Sequence, residues 1–303
     1  MLAHSPPLPL VIDHVGDDHD ITTEEEEGIV LALRHRDRVR RIRFQMPVSN
    51  MIRLITAIDE EFPLLDYLYL AAPKDDNANL ILPSAFRAPH LRRLVLDNVI
   101  CPIDSPLLIP AVGLVTLSLL KIHPSAYFSP NVLLQRLSLM PQLETLRIDF
   151  HSPVSNRYVQ RQLLGTPITT HVPLPNLRWF GFKGSSAYLE ALLPRITTPI
   201  LEKLQVVFFN QLTYSTPHLL QFIRTRENLT FSTAKITFDE EAVFIRVYPH
   251  EGAKIYTFYV ELGSRSVDWQ VASAAQIFNA LATVFSAMDY LTIEYEKHFI
   301  SSE

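Results

Sequence analysis

The chain has 303 residues, 48% of them apolar and 19% charged, and its 27 Lys and Arg against 32 Asp and Glu give a formal net charge of -5. That is the composition of a folded chain, not a disordered one, and its negative balance argues against a nucleic acid or an anionic membrane as partner. A single core stops growing near roughly 250 to 300 residues, so a chain of this size should split into domains or grow as a repeat array.

Other exclusions are local. No apolar run reaches the roughly 18 residues needed to cross a bilayer. Residues 1–10 hold paired prolines, no Lys or Arg and no long apolar stretch, so no signal peptide is expected there. Cys101 is the sole cysteine, which leaves no intrachain disulfide and argues against a cysteine-ligated zinc. Secreted repeat proteins usually close their ends with disulfides, so the expected location is intracellular, cytoplasmic or nuclear. Asn228-Leu229-Thr230 fits the glycosylation pattern and would go unused there.

Along the chain, residues 9–13 (PLVID) read as a first strand. Asp13-His14 and Asp17-Asp18-His19-Asp20 offer metal-type ligands at a spacing that fits no defined motif, so a solvated acidic loop is expected and no metal. Thr22 and Thr23, each followed three residues later by Glu25 or Glu26, give two overlapping capping boxes and so a helix start. Glu24 to Glu27 suit the positive end of that helix, and Arg34, His35, Arg36 and Arg38 its negative end. Residues 34–43 contain six arginines, a pattern also found in nuclear-localisation or nucleic-acid patches. The reading taken is a helix end followed by a strand, with Val39, Ile42 and Phe44 inward and Arg40, Arg41 and Arg43 outward.

From there a template recurs: apolar-x-x-apolar-x-apolar. It appears as Val39-Ile42-Phe44, Leu65-Leu68-Leu70, Leu91-Leu94-Leu96, Leu114-Leu117-Leu119, Leu143-Leu146-Ile148, Leu177-Phe180-Phe182 and Leu201-Leu204-Val206, with first positions 26, 26, 23, 29, 34 and 24 residues apart. Leucine-rich repeats run at roughly 20 to 29 residues. Prolines at Pro63, Pro89, Pro141, Pro175 and Pro199 precede five of the copies, where a missing amide costs a ladder nothing. A chance pattern in a leucine-rich domain would not bring the proline along. The last two apolar positions are two apart, the period of one strand face. Between strands, residues 51–62 (MIRLITAIDEEF) show helical spacing at Ile52, Ile55, Ile58 and Phe62. Each unit therefore reads as strand, loop, helix, and such crossovers make consecutive strands parallel. The position that usually holds a turn-filling Asn holds Pro73, Val99, Ile122, His151, Ser185 and Phe209 instead, with Asn98 one residue early. An irregular solenoid follows.

Near the C-terminus, residues 236–238 (ITF) read as an eighth strand. Residues 242–248 and 254–262 are aromatic and β-branched runs around the turn signal Pro249-His250-Glu251-Gly252, a β-hairpin. Residues 271–288 read as a helix through Ile277, Leu281, Val284, Phe285 and Met288, and Leu291-Thr292-Ile293 as a last strand without a polar cap.

The fold expected is thus α/β: a leucine-rich-repeat-like solenoid with irregular repeats, a curved parallel sheet, and helices or turns on its convex side. It is read as one domain over 1–303. An edge strand and acidic loop occupy 1–20, repeats 21–240, the hairpin 241–263, and the late helix and final strand 264–303, an end read as truncated or exposed.

The chain also resembles the repeat region of F-box and leucine-rich-repeat proteins expanded in mushroom-forming fungi. The resemblance is carried by Pro7-Leu8-Pro9-Leu10-Val11-Ile12-Asp13, by Ala32-Leu33-Arg34-His35-Arg36-Asp37-Arg38-Val39, by the repeats themselves and by Asp268-Trp269-Gln270-Val271. It spans about residues 7 to 294. It implies a substrate-holding repeat region, with an upstream F-box docking onto a ubiquitin-ligase scaffold. Leu8-Pro9-Leu10 has the Leu-Pro opening of such a module, but acidic residues and the first strand follow at once. The ligase scaffold is therefore expected as a partner only where an F-box exists outside this chain.

Enzyme signatures do not appear: no Gly-rich phosphate loop, no nucleophile elbow, no paired-histidine zinc motif, and only an echo of a phosphate loop at residues 181–186 (GFKGSS). No catalytic residue and no cofactor is expected. The function expected is binding of another protein, or a stand-alone scaffold role. Strand alternation puts Arg41, Arg43, Tyr67, Tyr69, Arg93, Thr145, Arg147, Trp179, Lys183, Lys203 and Gln205 on the concave face. Tyr, Trp and Arg are the types enriched at interface hot spots. With six cations and no carboxylate in the set, the expected partner is an acidic or aromatic-rich protein segment. The alternative is a solvated face of long polar side chains.

Overall fold

The computed structural model describes residues 8–16, 21–73, 80–151, 165, 168–211, 214–263, 266–282 and 288–296. It is a mixed α/β structure of mostly parallel strands with helices between them. The chain divides into two compact units, residues 1–128 with 135–151, and residues 129–134 with 152–303.

In the first unit the strands are β1 (Leu10–Val15), β2 (Val39–Gln45), β3 (Tyr67–Ala71), β4 (Arg93–Asp97), β5 (Thr116–Ile122) and β6 (Thr145–Phe150). They lie side by side in chain order, and every neighbouring pair is parallel. The repeat template sets this register. Ile42, Leu68, Leu94, Leu117 and Leu146 stand level across the strands, and Phe44, Leu70, Leu96, Leu119 and Ile148 form the next row. Both rows are buried, as are the template's first positions Val39, Leu65, Leu91, Leu114 and Leu143. Each such side chain contributes about 1.5 to 3 kcal/mol relative to exposure, so a one-residue slip, which turns each row over, is strongly disfavoured.

Helix α1 (Thr23–Leu33) starts on one of the two capping boxes: the Glu25 amide donates to Thr22 Oγ1 at 3.2 Å and the Thr22 amide to Glu25 Oε2 at 2.9 Å. It ends at Leu33, so the basic residues expected in its last turn lie beyond it. Helix α2 (Val48–Ile55) starts before the expected stretch and passes into a single 3-10 turn over Thr56–Ile58. Among the described residues no helix follows β3 or β4, against the expectation of a helix in each unit. Their described connections carry Pro73, Pro83 and Pro89, then Pro102, Pro106 and Pro110, and each proline removes a helical donor and restricts the residue before it. Instead, successive connections bond to one another: the Phe62 amide donates to the Arg87 carbonyl at 2.9 Å, and the Ile100 amide to the Leu80 carbonyl at 2.7 Å. Backbone groups without a helix are satisfied in this way. Helix α3 (Pro130–Leu137) lies between β5 and β6 in the chain, and the division into units runs through it.

The second unit holds β8 (Trp179–Gly184), β10 (Lys203–Phe208), β11 (Thr233–Phe238), β12 (Ala242–Tyr248), β13 (Phe258–Gly263) and β14 (Tyr290–Tyr295), with a separate parallel pair of β7 (Val172–Pro173) and β9 (Ile196–Thr197). Helices α4 (Ser186–Leu192), α5 (Pro217–Arg224) and α6 (Val267–Ala280) connect them. Spatial order here is β8-β10-β13-β12-β11-β14. The eighth strand expected at residues 236–238 is present as β11, but it does not follow β10. β13 takes that place, parallel to β10, while β12 runs antiparallel to both β11 and β13. The links from β11 to β12 and from β12 to β13 are too short for a parallel crossover, which needs a dozen or more residues. β13 also begins later than expected, leaving Ile255 70% exposed. Helix α6 starts before the stretch expected, and Val284 and Phe285 lie outside the described residues. β14 pairs in parallel with β11, and all six of its residues are exposed.

Candidate protein-binding face

On the side of the first-unit strands opposite the core, parallel register assembles two rows. Val11, Arg41, Tyr67, Arg93, Thr116 and Thr145 form one, and Asp13, Arg43, Tyr69, Val95, Ser118 and Arg147 the other. All seven first-unit residues expected on this face are there. Arg93 is exposed, while Arg41, Arg43, Tyr67, Tyr69, Thr145 and Arg147 are half-buried.

The half-burial has a cause in the row itself. The Arg41 guanidinium lies 4.4 Å from the centre of the Tyr67 ring, and that of Arg43 lies 5.5 Å from the centre of Tyr69. Each arginine thus covers the tyrosine on the next strand, a cation–π contact. The Tyr69 hydroxyl donates to Gln45 Oε1 at 3.4 Å, and burial together with Asp97 pushes its pKa up.

Three carboxylates stand on this face or at its end: Asp13 lies 3.8 Å from Arg43, Asp97 lies 2.9 Å from Lys121, and Asp149 lies 3.7 Å from Arg147. Asp97 and Asp149 are expected at the edge of the face from the strand pattern, tempering its charge; Asp13, in a strand outside the template, is the carboxylate that the expectation lacks. Strand alternation in residues 11–15 was the signal that could have found Asp13. Once these pairs are formed, Arg41 and Arg93 are the cations of the two rows with no carboxylate partner among the described residues.

In the second unit Lys203 stands level with Trp179, Gln205 with Gly181, and Lys183 with Val207. The Lys203 ammonium lies 5.4 Å from the Trp179 ring centre and 4.2 Å from that of Tyr256, and desolvation between them lowers its pKa. Tyr256 stacks on Tyr259 at 5.1 Å, and its hydroxyl donates to Gln205 Oε1 at 3.5 Å. Across the sheet Arg246 covers Phe244 at 5.1 Å and Tyr259 at 5.9 Å. The Tyr259 hydroxyl donates to Glu261 Oε2 at 2.7 Å, and burial with that carboxylate pushes its pKa well up.

Sequence reasoning named Trp179, Lys183, Lys203 and Gln205, and it missed Phe244, Arg246, Tyr256, Tyr259 and Glu261. Phe244 with Arg246, and Tyr259 with Glu261, are period-two pairs in the hairpin strands, and that pattern was available. Tyr256 lies in the expected strand run 254–262 in phase with the buried Phe258 and Val260, so alternation turns it inward; in the structure it precedes β13 and reaches Lys203 instead.

Compared with family models, with curated proteins and with solved structures, the chain matches none. No described helix is long and apolar enough to cross a membrane. Among the described residues no three His, Cys, Asp or Glu side chains group where one metal ion could be held. Of the acidic segment considered for metal, residues 17–20 lie outside the described residues. Cys101 is buried, and desolvation, opposed by a hydrogen bond from Ser105, pushes its thiol up to about 12. A thiol held protonated is a poor nucleophile.

Proposed function

We propose that this chain is a protein-binding repeat region, a leucine-rich-repeat-like solenoid similar to the substrate-holding part of an F-box-type ubiquitin-ligase adaptor, with no catalytic chemistry of its own. One observation supports it most. Parallel strands in register gather Arg41, Arg43, Tyr67, Tyr69 and Arg93 on one side, with aromatic rings and guanidinium groups already held against each other. Side chains fixed before contact lose less entropy when a partner arrives. Aromatic and arginine side chains dominate interface hot spots. In the second unit Trp179, Lys203 and Tyr256 repeat the chemistry.

A second reading is a stand-alone scaffold protein whose open face carries solvated polar side chains, favoured by the cations of that face that already pair within it, Arg43 with Asp13 and Arg147 with Asp149.

Site-specific photocrosslinking tests the proposal. A crosslinker at Tyr69 and one at Ile52, an exposed residue of α2, are compared in cell extract, and the captured protein is then bound to purified chain. A partner captured from Tyr69 and bound saturably supports the reading. A partner captured only from Ile52 overturns the assignment of the face.

A further inference from the structure

Strand β14 is the last in the second unit's order, with β11 on one side and no strand on the other among the described residues. Its register sets Leu291 level with Ala234, Ile293 with Ile236 and Tyr295 with Phe238. Ala234 and Ile236 are buried, whereas Leu291, Ile293 and Tyr295 are 48%, 64% and 52% exposed. The apolar row of the sheet therefore runs one strand further than its cover. The Glu296 amide donates to the Phe238 carbonyl at 2.9 Å. In a parallel ladder alternate residues turn both main-chain groups to the same neighbour, so Thr292 and Glu294 bond toward β11, while Leu291, Ile293 and Tyr295 present amides and carbonyls to the open side. Such an edge is a template for another strand, and natural edges are usually blunted by Pro, by Lys or by a charge pointing inward. β14 has none of these: its one charge, Glu294, lies on the other face, 2.7 Å from Lys235.

We propose that β14 pairs with β14 of a second copy of this chain, antiparallel and centred on Ile293. The proposal is independent of the binding face described above. What selects a second copy is that the strand is complementary to itself in this register. Ile293 exchanges main-chain bonds with its own counterpart, and Leu291 with the partner's Tyr295, so the open groups of all three residues are used. The same pairs set apolar side chains opposite each other, the kind of cross-strand pair that stabilises a sheet. On the other face Thr292 stands opposite the partner's Glu294, a hydroxyl against a carboxylate whose charge Lys235 already offsets. Centring on Glu294 would instead oppose two carboxylates, and centring on Thr292 would leave Tyr295 outside the apolar pairs. The two-fold axis stands normal to the sheet, so both apolar rows stay on one side. A contact of this kind closes on itself and leaves neither β14 edge open for further growth.

The test uses the full chain in sedimentation equilibrium, where a reversible monomer–dimer equilibrium in the micromolar range is expected. Ile293→Lys sets two cations opposite each other across the axis and should weaken the dimer by at least about tenfold. Because the side chain it replaces is exposed, the thermal unfolding midpoint should stay within about 2 °C of the parent's. Register is read separately by disulfide formation. Mixing Thr292→Cys chains with Glu294→Cys chains under mild oxidation should give a linked dimer, while either variant alone should not, because only the unlike positions face each other within reach. Cys101 is buried and stays out of the reaction. The proposal is overturned if the chain is still a monomer at about 100 μM. It is equally overturned if Ile293→Lys leaves the dimer affinity unchanged, or if each cysteine variant links alone as well as in the mixture. Assemblies that keep growing with concentration would mean that β14 meets a different edge, and would overturn it too.

Discussion

The guanidinium of Arg41 lies 4.4 Å from the centre of the Tyr67 ring on the neighbouring strand, at the level where the two residues are register partners. The contact is partly exposed, so it should contribute about 0.5 to 1 kcal/mol to stability. A double-mutant cycle with Arg41→Gln and Tyr67→Leu, read by urea unfolding, should return a coupling of that size. A coupling indistinguishable from zero would mean that the ring and the cation are neighbours without mutual stabilisation.

Trp179→Ala and Arg147→Ala should each cost on the order of 1 to 3 kcal/mol in partner affinity while leaving the fold intact. Trp179 carries the Lys203 ammonium at 5.4 Å, and Arg147 lies 3.7 Å from Asp149, so each removal also releases a neighbour. Titration calorimetry with the captured partner measures the loss. Unchanged affinity for both variants, with loss on α2 substitutions, would place the contact elsewhere.

Asn98 adopts the left-handed conformation at φ 59°, and its Nδ2 donates to the Pro73 carbonyl at 3.1 Å. It bonds backbone of the preceding connection, the service an asparagine gives in regular repeats, from one position early. Asn98→Gly keeps the backbone conformation and loses the hydrogen bond, whereas Asn98→Ala loses both. Stability should fall in the order Asn, Gly, Ala, with the Ala variant down about 1 to 3 kcal/mol. An Ala variant as stable as the parent in chemical denaturation would contradict this.

Burial holds the Cys101 thiol protonated, with its pKa raised from 9.0 to about 12. In the unfolded chain it ionises near its ordinary value, so above that pH the unfolded state binds fewer protons than the folded one. Stability from this group is complete below pH 9 and is lost as pH rises toward about 12. Cys101→Ala should therefore flatten the decline of stability between these limits. At neutral pH the folded chain should resist iodoacetamide and react after unfolding. Rapid alkylation of the folded protein would show the thiol to be accessible.

The chain as given should not bind the F-box-docking subunit of the ubiquitin ligase, since Leu8-Pro9-Leu10 continues into paired strand β1. Purified components in a pull-down decide the point. Saturable binding at about micromolar affinity would falsify this, and would favour the adaptor reading over the scaffold reading.

The period-two and repeat spacing of Val39-Ile42-Phe44 and its successors was enough to place β2 to β6, their parallel order and the residues facing away from the core. Burial of one apolar row and exposure of its alternate is a local rule, and each copy obeys it independently. Prolines before the strands are legible as harmless to a ladder, while Pro73, Pro83, Pro102, Pro106 and Pro110 in the described connections after β3 and β4 disfavour helix there. What only tertiary structure decided lies between segments. β13, not β11, sits beside β10, because two short links force an antiparallel insertion that no strand pattern ranks by neighbour. Asp13 meets Arg43 from a strand outside the template, and Tyr256 folds onto Lys203 from outside any strand. Periodicity fixes which way a side chain points along its own strand. Which charge or ring it meets depends on the register of the neighbouring strand, and that is set by packing across the whole core.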